Sequence, residues 1–320
     1  MIKFILAAGA AVTLAQDEQP RPDLTALIAE ARNIAVQHGE TVWTGYADAP
    51  GTIILIDGET EFLLCHDGPA EGFTRLQRDD VTGCALARRD RNFPPNFLAS
   101  FPAVDGTPSI VVGTPEGTGR TPDDWMVTLL HERVHQYQDS QPDSFARAMA
   151  LDLHGGDQTG MWQINYAFPY EDADTAAAVR QLADLALMAV QQRGEPGFEA
   201  AAQDFVRERQ AFLASIDPAD ARYYDFQSWK EGVARWSELA IARAGAEDSA
   251  RLAGFAAAQN ARMIRGLEAV DLPRQGRVAF YALGSAEAEI LEHLDPAWRS
   301  RYLDEMYDMS ALFQQTLSPE

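Results

Sequence analysis

Positive charge is scarce in this chain. Lysine occurs only at Lys3 and Lys230, and 26 Lys and Arg face 48 Asp and Glu, for a net charge of −22 at pH 7. Phosphate backbones are held by clustered Lys and Arg, so nucleic acid is excluded as a partner. The same deficit argues against stable docking on an anionic membrane. Cysteine is also rare, with Cys65 and Cys84 alone. No apolar run is long enough to span a bilayer. No internal repeat and no low-complexity linker is present. What remains is ordinary for a soluble globular protein: 320 residues, 46% hydrophobic and 23% charged, enough for one large core or two smaller ones. The positive charge that exists is nearly all arginine, which reads as codon usage and not as function.

The N-terminus has the pattern of a secretory signal. A basic start at Lys3 precedes the apolar run Phe4 to Leu14, and small residues at Thr13 and Ala15 lead into polar Gln16-Asp17-Glu18. Residues 1–15 are therefore expected to be cleaved, leaving 16–320 as a periplasmic or secreted protein. No cysteine follows the run, which argues against a lipid anchor. An oxidising compartment allows Cys65 and Cys84 to pair, the alternative being two buried thiols.

Along the chain the periodicity changes once. Asp23 to Gln37 has helical spacing and stops at Gly39. From about 40 to 115 the pattern is of strands: Thr52 to Ile56 and Glu61 to Cys65 as a hairpin turning at Asp57-Gly58, then Phe73 to Arg78, Cys84 to Arg88, and Pro108 to Gly113. From about 121 to 320 it is almost wholly helical. Strands first and helices second predict an α+β fold.

The residues that carry chemistry sit at the start of the helical half. Leu129-Leu130-His131-Glu132-Arg133-Val134-His135 contains H-E-x-x-H. On a helix the two histidines lie one turn apart on one face, so both rings reach one Zn²⁺, and Glu132 is placed to take a proton from a water on that ion. Thr121-Pro122-Asp123-Asp124 supplies the helix start, with Thr121 as cap, Pro122 at the first position and Asp124 closing a capping box. A catalytic site needs a third protein ligand and one open position. The metzincin extension is rejected, because Gln138 and Gln141 stand where it requires Gly and His.

A second segment, Trp229-Lys230-Glu231-Gly232-Val233-Ala234-Arg235-Trp236-Ser237-Glu238, resembles the E-G-x-A-x-aromatic-x-E segment of aminopeptidase N-like gluzincin peptidases, which share the H-E-x-x-H-Q start. The resemblance implies a zincin-like fold with Glu231 as third zinc ligand, and Glu238, two turns on, as an acceptor for a histidine N–H. It also implies that a strand just upstream, here Ile110 to Gly113, forms the sheet edge along which an extended substrate pairs. The Gly-Ala-Met-Glu-Asn segment that reads a free amine in those aminopeptidases is absent, so the likeness extends to the metal site and general base and not to aminopeptidase specificity. The layout also resembles a group of secreted, largely uncharacterised bacterial proteins, through Gly160-Met161-Trp162 to Phe168-Pro169-Tyr170, Tyr281 to Gly284, and Asp295 to Trp298.

Gluzincins place a Tyr or His to stabilise the oxyanion. Tyr281, opening a helical segment, is the first candidate here, with Tyr223 and Tyr224 as rivals. His38, His66, His154 and His293 have no ligand spacing and read as surface or loop residues, His154 nearest the cleft. Trp162, Tyr166, Phe168 and Tyr170 line either a cleft or, more commonly, the core. The expectation is a secreted zinc peptidase acting on a peptide or protein substrate. The alternatives are a non-catalytic zinc-binding protein on a peptidase-like fold, or a helical protein with the motif by coincidence. Oligomeric state leaves no trace in the sequence.

Overall fold

Alternating side chains build the sheet. In Ile53–Asp57 (β1), Ile53 and Leu55 point into the main core while Ile54 and Ile56 point into a smaller one on the opposite face. The computed structural model describes residues 19–317, so the expected signal peptide at 1–15 lies outside the described residues. The further strands are Thr60–Leu64 (β2), Thr74–Arg75 (β3), Leu86–Asp90 (β4), Leu98–Val104 (β5) and Thr107–Gly113 (β6), and the six-stranded order is β3-β4-β2-β1-β6-β5. Only the β1–β6 pair is parallel. The second face is covered by Phe93, Phe97 and Phe101, whose rings pack edge to face or tilted.

Three expectations for the sheet need correction. The first hairpin turns at Gly58-Glu59, since Asp57 already pairs with Thr60. The strands expected at Phe73 to Arg78 and Cys84 to Arg88 are shorter or shifted, at β3 and β4. Ile110 to Gly113 is not an edge, because β5 pairs with it on its outer side. The cause is Asp105-Gly106, with φ of 46° and 74°, the left-handed pair that closes a two-residue hairpin. Pro102, which has no N–H for a ladder, is tolerated on β5 because β5 is the edge. Cys65 and Cys84 are joined as a disulfide, tying the end of β2 to the loop before β4.

Among helices of eight residues or more, α1 is Pro22–Ile34, α2 Pro122–Asp139, α3 Ala173–Gln191, α4 Phe198–Ser215, α5 Pro218–Gln227, α6 Val233–Ala244, α7 Ala250–Glu268, α8 Ala279–Leu294 and α9 Met309–Leu317. No helix among the described residues is long and apolar enough to cross a membrane. Sheet and helices share one continuous apolar core, and together they make a mixed α+β fold.

Helix α2 carries the motif and runs through the middle of the molecule. Its start is set by the Thr121 hydroxyl, which accepts from Asp124 N at 3.1 Å. The Asp124 carboxylate takes the Thr121 hydroxyl proton at 2.7 Å instead of the backbone N–H that a full capping box requires. Beyond Asp124 nearly every side chain is buried, the polar ones included, so α2 is packed on all sides. Trp125 Nε1 donates to Gly113 O (2.7 Å), and Gln136 Nε2 donates to Thr52 O (2.8 Å) and Pro108 O (3.0 Å), fastening the helix to the sheet. Arg133, inside the motif, donates to four carbonyls between Tyr46 and Pro50 at 3.2 or 3.3 Å.

Between α5 and α6 the chain keeps winding but widens into a π-turn at Ser228–Gly232. Helix α8 lies directly against this turn. A Cβ on Gly232 would sit 2.4 Å from Gly284 Cα, so the two backbones touch and no side chain fits between them.

Candidate metal centre

The motif helix and the π-turn meet at three atoms. His131 Nε2 and His135 Nε2 are 3.2 Å apart, and Glu231 Oε2 lies 3.5 Å from the first and 3.3 Å from the second. These residues form a group that could hold a metal ion. Four ligands at about 2.0–2.1 Å from a tetrahedral zinc stand about 3.3 Å apart, so the triangle has the edge length the ion needs. Glu231 Oε2 is buried and has no hydrogen-bond donor, a costly state for a carboxylate oxygen unless a cation satisfies it. Two imidazoles and a carboxylate suit zinc among the common ions. The residues present therefore fit a metal.

The outer nitrogens of both rings also have polar neighbours. Glu238 Oε1 stands 2.9 Å from His131 Nδ1, an ion-pair distance without hydrogen-bond geometry, and a proton kept on Nδ1 would leave Nε2 free for an ion. Arg235 Nη1 holds both Glu238 oxygens at 2.9 and 3.1 Å. Burial opposes the charge on Glu238, but Arg235 and His131 outweigh it and keep its pKa below the ordinary value. His135 Nδ1 donates to Gln138 Oε1 at 2.8 Å. The Gln138 amide in turn donates to Lys230 O (3.0 Å) and Tyr302 Oη (2.7 Å), so one side chain links a histidine to the turn that carries Glu231.

Glu132 and Tyr281 complete the surroundings. Burial raises the Glu132 pKa, against the opposing pull of His135 and His131. The Tyr281 ring lies nearly parallel to His131, with centroids 6.2 Å apart and planes 11° apart. Burial and the Glu231 charge lift the Tyr281 pKa well above its usual value, so the phenol keeps its proton. Arg277 Nη1 donates to Tyr281 Oη at 2.9 Å and reaches Glu231 Oε1 at 3.5 Å. The Tyr281 oxygen is thus an acceptor from Arg277, and its proton stays on the phenol beside the Glu231 carboxylate.

Compared with known proteins, the chain matches no family model, no curated protein and no solved structure.

The structure brings His131, Glu132, His135, Glu231, Glu238 and Tyr281 together. It does not bring in Tyr224, whose hydroxyl donates to buried Glu287 at 2.7 Å beside Arg209. The Tyr223 hydroxyl is committed to Gln163 O at 3.0 Å. Neither rival tyrosine has a hydroxyl free to act. None of the other four histidines joins the site. His66 lies in the loop after β2, where it is buried, and its Nε2 is 2.9 Å from Pro69 O. His154 Nδ1 accepts from Gly156 N at 2.9 Å. Trp162 and Phe168 are core residues, with half-buried Tyr166 and Tyr170 packed against them.

Gln138 and Arg277 are the residues that sequence reasoning missed. Gln138 is three positions after His135 on α2, which places it on the same face, and that spacing was the available signal. Arg277 sits in the short turn Gly276–Val278 that leads into α8 and carries no pattern of its own.

Proposed function

We propose that the protein is a zinc-dependent peptidase of the gluzincin kind, exported by the signal at 1–15 and acting on peptide or protein substrates from a zincin-like fold. The observation that carries this reading is the triangle of His131, His135 and Glu231 with Glu132 one residue along the same helix. His131, His135 and Glu231 would hold the ion. Zinc at such a site acidifies a water and polarises a carbonyl oxygen. The chain's own part in hydrolysis follows from its protonation states. Glu132 is a buried carboxylate whose raised pKa makes it a better proton acceptor than an exposed one. Its oxygen takes the proton of the attacking water and passes it to the departing amine nitrogen. The Tyr281 O–H, kept protonated by burial and by Glu231, donates to the carbonyl oxygen as that oxygen gains negative charge. Glu238 and Gln138 fix the two imidazole rings, and Arg277 fixes the phenol.

Elemental analysis of the purified protein tests the ligands. About one zinc per chain, lost in both His131→Ala and Glu231→Ala, is expected. Zinc kept in Glu231→Ala would assign the third ligand elsewhere, and a wild type that takes up no zinc would end the reading. Cleavage of a broad peptide mixture, abolished in zinc-loaded Glu132→Gln, tests the chemistry.

A further inference from the structure

We propose that the rim of this site selects substrates that present a carboxylate beside the bond to be cut, with Arg235 and Arg277 as the residues that hold it. The inference rests on the peptidase reading of the same site. Both guanidinium carbons lie 5.7 Å from the Tyr281 ring centroid, so both flank the proposed donor. Each arginine uses a single nitrogen within the protein. Arg277 spends Nη1 on Tyr281 and Glu231, and Arg235 spends Nη1 on Glu238. Their Nε and Nη2 groups have no hydrogen-bond partner among the described residues, and the two side chains stay 27% and 20% exposed. Donors held in a fixed fork and open to solvent match the two oxygens of a carboxylate.

The surroundings add charge of the same sign. Arg262 and Arg120 are exposed, and neither forms an ion pair among the described residues. Arg262 is close enough to Arg235 for their charges to oppose each other. The acidic groups in reach already have roles in the site: Glu231 in the ligand triangle, Glu238 on Arg235 and beside His131, Glu132 as the buried carboxylate next to the histidines, and Asp124 at the cap of α2. In a chain of net charge −22, arginines gathered at one site with N–H donors left over after their own ion pairs mark where a negative group is meant to arrive. The carboxylate belongs either to an Asp or Glu side chain or to the free C-terminus of the peptide.

Binding to zinc-loaded Glu132→Gln separates this inference from turnover. The probes are alanine-based hexapeptides: one set with Asp at each internal position and an amidated C-terminus, one with a free C-terminus and no Asp, and one neutral and amidated. Calorimetry is expected to show about tenfold or tighter binding of one carboxylate set over the neutral peptide. Which set wins names the source. That preference should vanish in Arg277→Gln, which keeps a hydrogen bond to Tyr281, and return in Arg277→Lys, with zinc content checking that each variant is folded. Equal binding of all three probes, or a preference that survives in Arg235→Gln/Arg277→Gln, overturns the inference. Failure of wild type to cleave any peptide would overturn the peptidase reading and leave the binding result standing separately.

Discussion

Gln138 accepts from His135 Nδ1 through its oxygen and donates through its amide to Lys230 O and Tyr302 Oη. Replacing it with Leu removes the acceptor that orients His135 and the amide that ties α2 to Lys230 O. Zinc affinity is expected to fall about 10–100-fold in Gln138→Leu, measured by competition with a chelating dye. Tyr281→Phe tests a different step, since it removes only the donated proton. Peptide hydrolysis should drop about 10²–10³-fold in kcat while zinc content stays unchanged. Loss of zinc in Tyr281→Phe would recast the residue as structural. Why some of these residues were legible and others were not is a matter of range. His131, Glu132 and His135 are fixed by one turn of one helix, so spacing alone exposes them. Glu231 and Glu238 were reached through a segment likeness. Arg277 acts only because α8 is folded against the π-turn, and no local pattern announces that contact.

Among the elements, the turn carrying Glu231 depends on having no side chain behind it. Gly232 and Gly284 meet backbone to backbone, and a Cβ on Gly284 would lie 2.8 Å from Gly232 Cα and from Ser228 Cα. Backbone cannot swing aside as a flexible side chain can. Gly284→Ala is expected to cost about 3 kcal/mol in chemical denaturation, the upper part of the range for overpacking. It should also weaken zinc binding by pushing Glu231 away from the histidines, whereas Gly254→Ala, where a Cβ meets nothing within 4 Å, should do neither. The elements themselves were unevenly readable. The start of α2 was plain because a cap, a proline and an apolar face agree there. β5 was missed although Asp105-Gly106 is a strong turn signal, because Pro102 and a half-exposed pattern disguise an edge strand.

Across the whole molecule, buried carboxylates sit within arginine clusters that join distant helices. Glu289 of α8 is fully buried and paired with Arg193 after α3 and Arg243 of α6, while Trp236 Nε1 donates to it at 2.7 Å. Burial works against the ionised form, but the two arginines and the indole outweigh it and hold the pKa below 4.5. A depressed carboxylate contributes its stability above its unfolded value and loses it as pH falls through the folded one. Glu289→Gln should therefore destabilise by about 3 kcal/mol at pH 7, the low end for a broken buried pair because Arg243 is partly hydrated. The gap in Tm between wild type and variant should shrink as pH drops below about 4.5. A gap that stays constant down to pH 3 would assign the loss to packing instead. The α+β class followed from the order of patterns in the sequence, but these clusters pair residues 46 and 96 positions apart, a range that periodicity does not sample.

The packing around the candidate centre has an optical consequence. Trp229 and Trp236 bracket the segment from Glu231 to Arg235, both are buried, and Trp229 stacks on Tyr302 with planes 12° apart while Tyr302 bonds to Gln138. Trp43 joins them, with its ring centroid 5.8 Å from that of Trp236. Trp298 packs 5.3 Å from Trp236, so four of the six tryptophans glow in one cluster around the segment that carries Glu231. An ion with an open d shell, such as Co²⁺, should dim that emission as it enters, and closed-shell Zn²⁺ should shift it without dimming. The protein would then report its own occupancy in a fluorimeter without a label, and Trp229→Phe should blunt the signal.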